Sequence, residues 1–335
     1  MLKVYFINLR YHKIRNPIKR YGMNYGLNGK TLNTGLIGTW SWGKGVNGSK
    51  TVFGQTFSEE HLREVFDKAY GAGFLAWDTA EVYGNGTSES YIGSFIKDKK
   101  DIFISTKHFP GNRYHEGETR KALTASLERL GISRADLYFL HSPKNIESNM
   151  KEMAECYRDG LIGSIGLSNG SPEQIALACK VLEENGAHLD AIQNHYSLFA
   201  MEREADTLSF CKEHGIIFFG YMLLEQGALS GHYDSTHPFE AFSMRSMMFG
   251  RSKFKKADAL INFIRELGSK YDIDPSQIAI AWAISKGVIP IVGINKTKHI
   301  EPLVKGLSLA LTDDEISKLE ELALASGIKQ KGMWE

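Results

Sequence analysis

The chain has 335 residues, a formal net charge of +1, 42% hydrophobic and 24% charged residues, the profile of a globular domain long enough to bury a sizeable core. That balance gives no electrostatic attraction toward nucleic acid or an anionic membrane, and no apolar run approaches the roughly 18 residues of a membrane-crossing helix. The three cysteines, Cys156, Cys179 and Cys211, form no CxxC or Cys/His cluster, which predicts a reduced, cytoplasmic protein without disulfides or zinc.

The first twenty residues carry Lys3, Arg10, Lys13, Arg15, Lys19 and Arg20 and no acid. They lack the apolar stretch and small-residue cleavage site of a secretory signal. An acid-poor organellar presequence fits the composition, but the simpler reading is a poorly specified basic arm over residues 1–30, or an upstream start codon. From residue 31 the pattern changes. Strand-like runs are expected at Leu36–Trp40, Phe74–Trp77, Ile102–Thr106, Leu137–Leu140, Ile162–Leu167, Leu189–Ile192, Ile216–Phe219 and Val288–Val292. Between them lie helical segments including Glu59–Tyr70, Glu118–Leu130, Met150–Asp159, Pro172–Glu184, Glu202–His214, Lys255–Tyr271 and Pro275–Ser285. Ser171-Pro172-Glu173 reads as a helix start, and Gly131, Gly160, Gly186 and Gly215 as helix stops. Eight strands alternating with helices predict a (β/α)8 TIM barrel over residues 31–325, with a tail at 326–335; a doubly wound open sheet is the rival. No composition break divides the chain. Two long loops, Ser41–Phe57 and Tyr221 to about Lys253, are expected at the C-terminal face of the barrel.

Two nucleotide motifs fail on inspection. Gly43, Gly45 and Gly48 have GxGxxG spacing, but Thr51, Val52 and Phe53 follow where a helix should open. The same stretch misses a Walker A loop because Ser49 stands at the lysine position. No HExxH or paired strand histidines suggest a metal site. A glycosidase pair is absent as well, since Asp78 is the single carboxylate closing a strand.

The informative residues follow the strands. In chain order they are Asp78, Lys107, His141, Ser168-Asn169, Gln193-Asn194 and Tyr221. Each alone has a structural explanation as a cap, a solvated charge or a satisfied core residue. In a (β/α)8 barrel, however, these ends share one face, where active sites are built. Tyr83 lies five residues past Asp78. A tyrosine is a poor proton donor at neutral pH until a cation lies beside its hydroxyl. Lys107 is a candidate cation, Asp78 its counter-charge, and His141 a hydrogen-bond donor to a substrate oxygen. Such a cluster suits protonation of an oxygen gaining negative charge, as in carbonyl reduction. None of these groups supplies a hydride, so a nicotinamide cofactor is required. Ser168, Asn169 and Gln193 suit a carboxamide, and Tyr221 a stacked ring.

Over residues 31–325 the chain resembles the aldo-keto reductase family. The resemblance rests on "GLIGTWSWG", "WDTAEVYGNGTSE", "STKHF", "FLHSP", "GLSN", "IQNHYS", "GYMLLEQGALSG" and "IPIVGINKTKHIEPL", in family order. It implies a barrel that binds NADPH, or NADH, without a Rossmann domain. It also implies Tyr83 as general acid, Lys107 and Asp78 as the pair lowering its pKa, and His141 as the orienting group. Cofactor contacts are implied at Thr39, Trp40, Ser168, Asn169, Gln193, Tyr221, Met222, Leu224, Gln226, Gly293, Asn295, Lys296 and His299. The chain departs from the family in Met222-Leu223, where Ser-Pro is common, and in Asn295, where an arginine is common. Lys296, Lys298 and His299 are candidates for a 2′-phosphate, or else a basic first turn of a surface helix.

Trp42, Phe109, Tyr196 and Trp334 suggest an apolar substrate mouth for a bulky or aromatic aldehyde or ketone, although each also reads as barrel packing. The partner is then a small carbonyl compound, with neither nucleic acid nor membrane; monomer and homo-oligomer both remain open. The competing functional reading is an NADPH-binding redox-sensing or regulatory subunit with slow turnover.

Overall fold

The computed structural model describes residues 25–27, 29–32, 35–45, 47–50, 54–99 and 101–331. Residues 1–24 of the expected arm, and Trp334, lie outside them. Two strands, β1 (Tyr25–Leu27) and β2 (Lys30–Leu32), pair antiparallel. Eight more close a parallel barrel: β3 (Leu36–Gly38), β4 (Ala76–Asp78), β5 (Phe103–His108), β6 (Leu137–Leu140), β7 (Ile165–Ser168), β8 (Ala191–His195), β9 (Ile217–Tyr221) and β10 (Ile289–Gly293), with β10 returning to β3. This is the (β/α)8 fold.

Six of the eight barrel strands run one to three residues further toward their carboxyl ends than side-chain polarity suggests. Lys107-His108, Gln193-Asn194-His195 and Gly220-Tyr221 all remain in the ladder. Ladder pairing is a backbone property, so a polar side chain does not end a strand whose neighbour continues. Strand β6 ends at Leu140 as expected, and the first barrel strand falls short. It stops at Gly38, and Trp40–Trp42 winds into a 3-10 turn instead of extending the strand.

The connecting helices are α1 (Glu59–Gly71), α2 (Thr87–Ile96), α3 (Glu118–Leu130), α4 (Ile146–Arg158), α5 (Pro172–Glu184), α6 (Ala205–His214), α7 (Met244–Met248), α8 (Arg251–Lys270), α9 (Ser276–Ser285), α10 (Ile300–Leu307) and α11 (Asp313–Ala325). Their ends follow local chemistry. The Ser171 hydroxyl and Gln174 side chain form a reciprocal capping box with Pro172 at the first turn. Gly131 and Gly215 close α3 and α6 in the left-handed conformation. Helix α4 starts four residues before the expected Met150, and α6 three residues after Glu202.

The hairpin spans the expected boundary at residue 30. Its signal was the Asn28-Gly29 dipeptide between two short runs, a common two-residue hairpin loop. Leu27 and Leu32 are buried. Lys30 Nζ donates to the Ile102 carbonyl at 2.7 Å and pairs with Asp136 at 2.7 Å. Ile102 and Asp136 immediately precede β5 and β6, so the hairpin covers the amino-terminal mouth of the barrel and leaves the opposite mouth open. Inside, the Phe139 and Phe219 rings meet edge to face at 6.3 Å. Gly166 makes room for them, because a Cβ there would lie 2.2 Å from the Phe139 ring.

Candidate active site

Strands β4 and β5 bring the central ion pair together. Asp78 and Ser105 are register partners, and Lys107 follows two residues later on the same side of its strand. Lys107 Nζ lies 2.6 Å from Asp78 Oδ2, 2.7 Å from the Thr79 carbonyl and 3.3 Å from the Tyr83 hydroxyl. Both ends of the pair are buried. Asp78 Oδ1 also accepts from the Ser105 hydroxyl at 2.7 Å and from Gln193 Nε2 at 3.0 Å. The buried carboxylate is thus fully partnered, as burial of a charge demands.

Tyr83 reaches this pair from the turn after β4. Gly84 follows it with φ +58°, and a Cβ there would strike the Lys44 backbone at 2.4 Å. Trp40 stacks on the Tyr83 ring at 6.0 Å, and the His141 ring meets it edge-on at 5.8 Å. Burial, with the charge of Asp78 adding to it, holds the Tyr83 phenol well above its ordinary value. The direction is opposite to the lowering that the resemblance implies, because burial penalises the phenolate. Burial likewise lowers Lys107 from its ordinary value while Asp78 and Glu89 oppose that shift. His141 is pushed well below its ordinary value by burial, then by Lys107 and His108, and so stands as a neutral imidazole at neutral pH.

These groups sit at one end of a cavity of about 500 Å³ at the open mouth of the barrel. Thr39, Trp40, Asp78, Tyr83, His141, Ser168, Asn169, Gln193, Tyr221, Met222, Leu224, Gln226, Gly293, Asn295, Lys296 and His299 all line it. Ser41 and Gln55 from the first long loop, and His232, Tyr233 and Arg245 from the second, complete the wall. The Tyr221 hydroxyl donates to Asn169 Oδ1 at 2.7 Å, and Asn169 Nδ2 donates to the His141 carbonyl at 3.0 Å. Ser168 Oγ donates to the Gln193 carbonyl at 2.7 Å. The floor is therefore a braced set of amides and hydroxyls beside one tyrosine ring.

Beneath Tyr221 the chain turns sharply. Met222, Glu225 and Gln226 have φ of +56°, +46° and +54°, a conformation that costs roughly 1–2 kcal/mol for each residue with a side chain. Glu225 anchors this turn from below. Its carboxylate accepts from the Ser197 hydroxyl and lies 2.7 Å from His195 Nε2, with His195 and Glu225 both buried. Neither Glu225 nor Ser105 was singled out in the sequence. For Ser105 a signal existed, since it shares the side of β5 with Lys107.

Trp42, Tyr196 and Phe109 lie outside the cavity lining. Trp42 is 1% exposed, donates from Nε1 to the Ile294 carbonyl at 2.7 Å, and packs against Trp77 and Phe95. The 3-10 turn rotates it inward while Trp40 faces the cavity. Tyr196 is 2% exposed and stacks on Trp282 at 5.2 Å. It adjoins His195, and alternation along β8 sends it outward to the helices while Gln193 and His195 point inward. Both are packing residues. Phe109 does stand at the site, with its ring edge-on to His141 at 5.6 Å. Among the described residues no group of three or more His, Cys, Asp or Glu side chains is placed to hold a metal ion.

The aldo/keto reductase family profile matches residues 36–324. The chain belongs to the aldo/keto reductase family. This aldo/keto reductase is 31% identical over 311 residues to the chloroplastic pyridoxal reductase of Arabidopsis thaliana, covering 87% of this chain and 83% of that protein. It is 30% identical to the NADP(+) aldo-keto reductase yakc of Schizosaccharomyces pombe, over 83% and 87% of the two chains. Among solved structures, the glycerol dehydrogenase of Gluconobacter oxydans matches with a TM-score of 0.76 at 24% identity over 92% of this chain and 98% of that one, a likeness of fold. Membership makes the protein an NAD(P)H-dependent oxidoreductase acting on carbonyl chemistry. The donor set fits such a cofactor. Ser168, Asn169 and Gln193 offer hydroxyl and amide groups to a carboxamide, Tyr221 offers a ring face, and Lys296, His299 and His232 make the cavity wall basic.

Proposed function

We propose that this aldo/keto reductase reduces an aldehyde or ketone to the alcohol, with Tyr83 as proton donor and NADPH as cofactor. When bound, the nicotinamide supplies the hydride that the side chains of this site cannot. Ser168, Asn169 and Gln193 hold its carboxamide, and Tyr221 supports its ring. His141, neutral and fixed beside Tyr83, donates a hydrogen bond that orients the substrate oxygen. Tyr83 then gives its proton to that oxygen as negative charge develops there.

The observation carrying this reading is the buried contact from Lys107 Nζ to the Tyr83 hydroxyl at 3.3 Å, with Asp78 behind the ammonium at 2.6 Å. A high phenol pKa keeps the donor loaded before reaction, and the ammonium stabilises the phenolate once the proton has left. Lys296 and His299 in the cavity wall favour a cofactor carrying an additional phosphate. Trp40 against the Tyr83 ring and Phe109 against the His141 ring favour a planar aromatic aldehyde, and the relative named pyridoxal reductase points the same way.

The test is absorbance at 340 nm with NADPH and NADH in parallel against pyridoxal, other aromatic aldehydes and ketones. Carbonyl-dependent loss that Tyr83→Phe reduces by at least 100-fold, with nucleotide binding retained, is the expected result. Undiminished turnover by that variant would sink the proton-donor assignment. Tight NADPH binding without turnover across the panel would favour a redox-sensing role.

A further inference from the structure

We propose that His299 makes this cavity take up a proton when it accepts a 2′-phosphorylated nicotinamide dinucleotide, so that discrimination between NADP(H) and NAD(H) depends on pH. This rests on the reading that the cavity binds a nicotinamide cofactor with its phosphate-bearing end at residues 296–299.

The wall formed by β10 and the turn that follows it carries Lys296 and His299, and the loop after β9 brings His232 to the same cavity. Lys296 and Lys298, on its own segment, face His299 with positive charge. His232 faces it from the loop after β9, and Asp274, from the turn before α9, is the carboxylate that acts on it. Asp274 is shared, because its Oδ2 lies 3.2 Å from His232 Nε2. Helix α1 packs against this turn and contributes His61, whose Nε2 lies 2.8 Å from the Asn295 carbonyl. Arg245 lines the cavity as well.

An imidazole crowded by two ammonium groups is disfavoured as a cation. Burial, then Lys298 and Lys296, lower His299 from its ordinary value. A dianionic phosphate in this wall reverses the sign of the local field, and the imidazole becomes a charged donor to it. Its pKa is then higher in the complex than in the free protein. The linkage follows: affinity is greatest at low pH and is lost as pH rises through the value in the complex. A rise of one unit on binding corresponds to about a tenfold change in affinity across the titration. A dinucleotide without the 2′-phosphate supplies no such charge. The second ionisation of a phosphate near pH 6 acts in the opposite direction, because the ligand gains charge as pH rises. Variants at His299 separate the two contributions.

The experiment is isothermal titration of the full-length protein with NADP+ and with NAD+, oxidised forms that tolerate mildly acidic solution. It is run at pH 6, 7 and 8 in pairs of buffers that differ in ionisation enthalpy. Net proton uptake is expected with NADP+ and not with NAD+, with the ratio of NADP+ to NAD+ affinity falling as pH rises. His299→Gln should remove the uptake and flatten that ratio. His299→Arg should bind NADP+ without uptake at every pH, which a merely structural role for His299 would not produce. NADP+ binding without proton uptake, or uptake unchanged in His299→Gln, would overturn the proposal and leave the cofactor reading standing. No binding of either nucleotide would overturn the cofactor reading itself.

Discussion

Gln193 Nε2 donates a hydrogen bond to Asp78 Oδ1 at 3.0 Å, across the barrel from β8 to β4. One amide thus joins the cavity floor to the carboxylate that holds Lys107. Replacing Gln193 by Met removes a donor from a buried carboxylate, a loss worth about 1–3 kcal/mol. The expected outcome is weaker nucleotide binding together with a severalfold lower kcat. Nucleotide Kd by fluorescence and single-turnover rates check this; a change in Kd alone would mean the link to Asp78 is idle.

Lys107→Met should lower kcat by about 100-fold or more, because the phenolate of Tyr83 loses its cation. It should also lower stability by about 3–5 kcal/mol, since Asp78 is left charged and buried without its ammonium. The double variant with Asp78→Asn should regain much of the thermal midpoint and none of the activity. Scanning calorimetry paired with steady-state kinetics distinguishes the two effects.

The depressed His141 pKa makes stability pH-dependent. In the folded protein His141 stays neutral well below 6.5, whereas in the unfolded chain it takes up a proton near that value. The unfolded state then binds more protons, so the contribution is present above about pH 6.5 and lost as pH falls below it. Urea midpoints measured from pH 5 to pH 8 should fall on the acidic side, with a shallower slope in His141→Gln.

Glu225 holds the left-handed turn at Met222–Gln226 in place. Glu225→Ala leaves the Ser197 and His195 donors buried without their acceptor, at a cost of about 1–3 kcal/mol. The turn then relaxes toward ordinary backbone angles, and nucleotide affinity should drop by about tenfold. Glu225→Gln keeps an acceptor and should retain most of both. Equal losses in the two variants, read by thermal melting and nucleotide Kd, would show that the carboxylate charge and not its hydrogen bonds holds the turn.

The catalytic candidates were legible because a barrel converts chain order into position. Asp78, Lys107 and His141 each lie at the carboxyl end of their strand or just past it, and closing the barrel brings those ends to one mouth. The hairpin of β1 and β2 was missed, because residues 1–30 read as a poorly specified arm despite the Asn28-Gly29 signal. Trp42 and Tyr196 were misread for one shared reason. An aromatic beside a strand end faces the cavity or the packing according to turn geometry and residue parity, and composition reports neither. His195 and Glu225 lie 30 residues apart, and neither local propensity nor periodicity encodes their meeting.

The amino-acid sequence by itself determined the alternation of strands and helices, the identity of the groups at the strand ends, and the need for a nicotinamide cofactor. Those follow from periodicity and side-chain chemistry, which are local properties. Only the tertiary structure decided that the Tyr83 phenol is held well above its ordinary value, that Gln193 braces Asp78, and that His232 joins His299 in one basic wall. Desolvation and charge act over a few ångströms in space, between residues that the chain sets far apart.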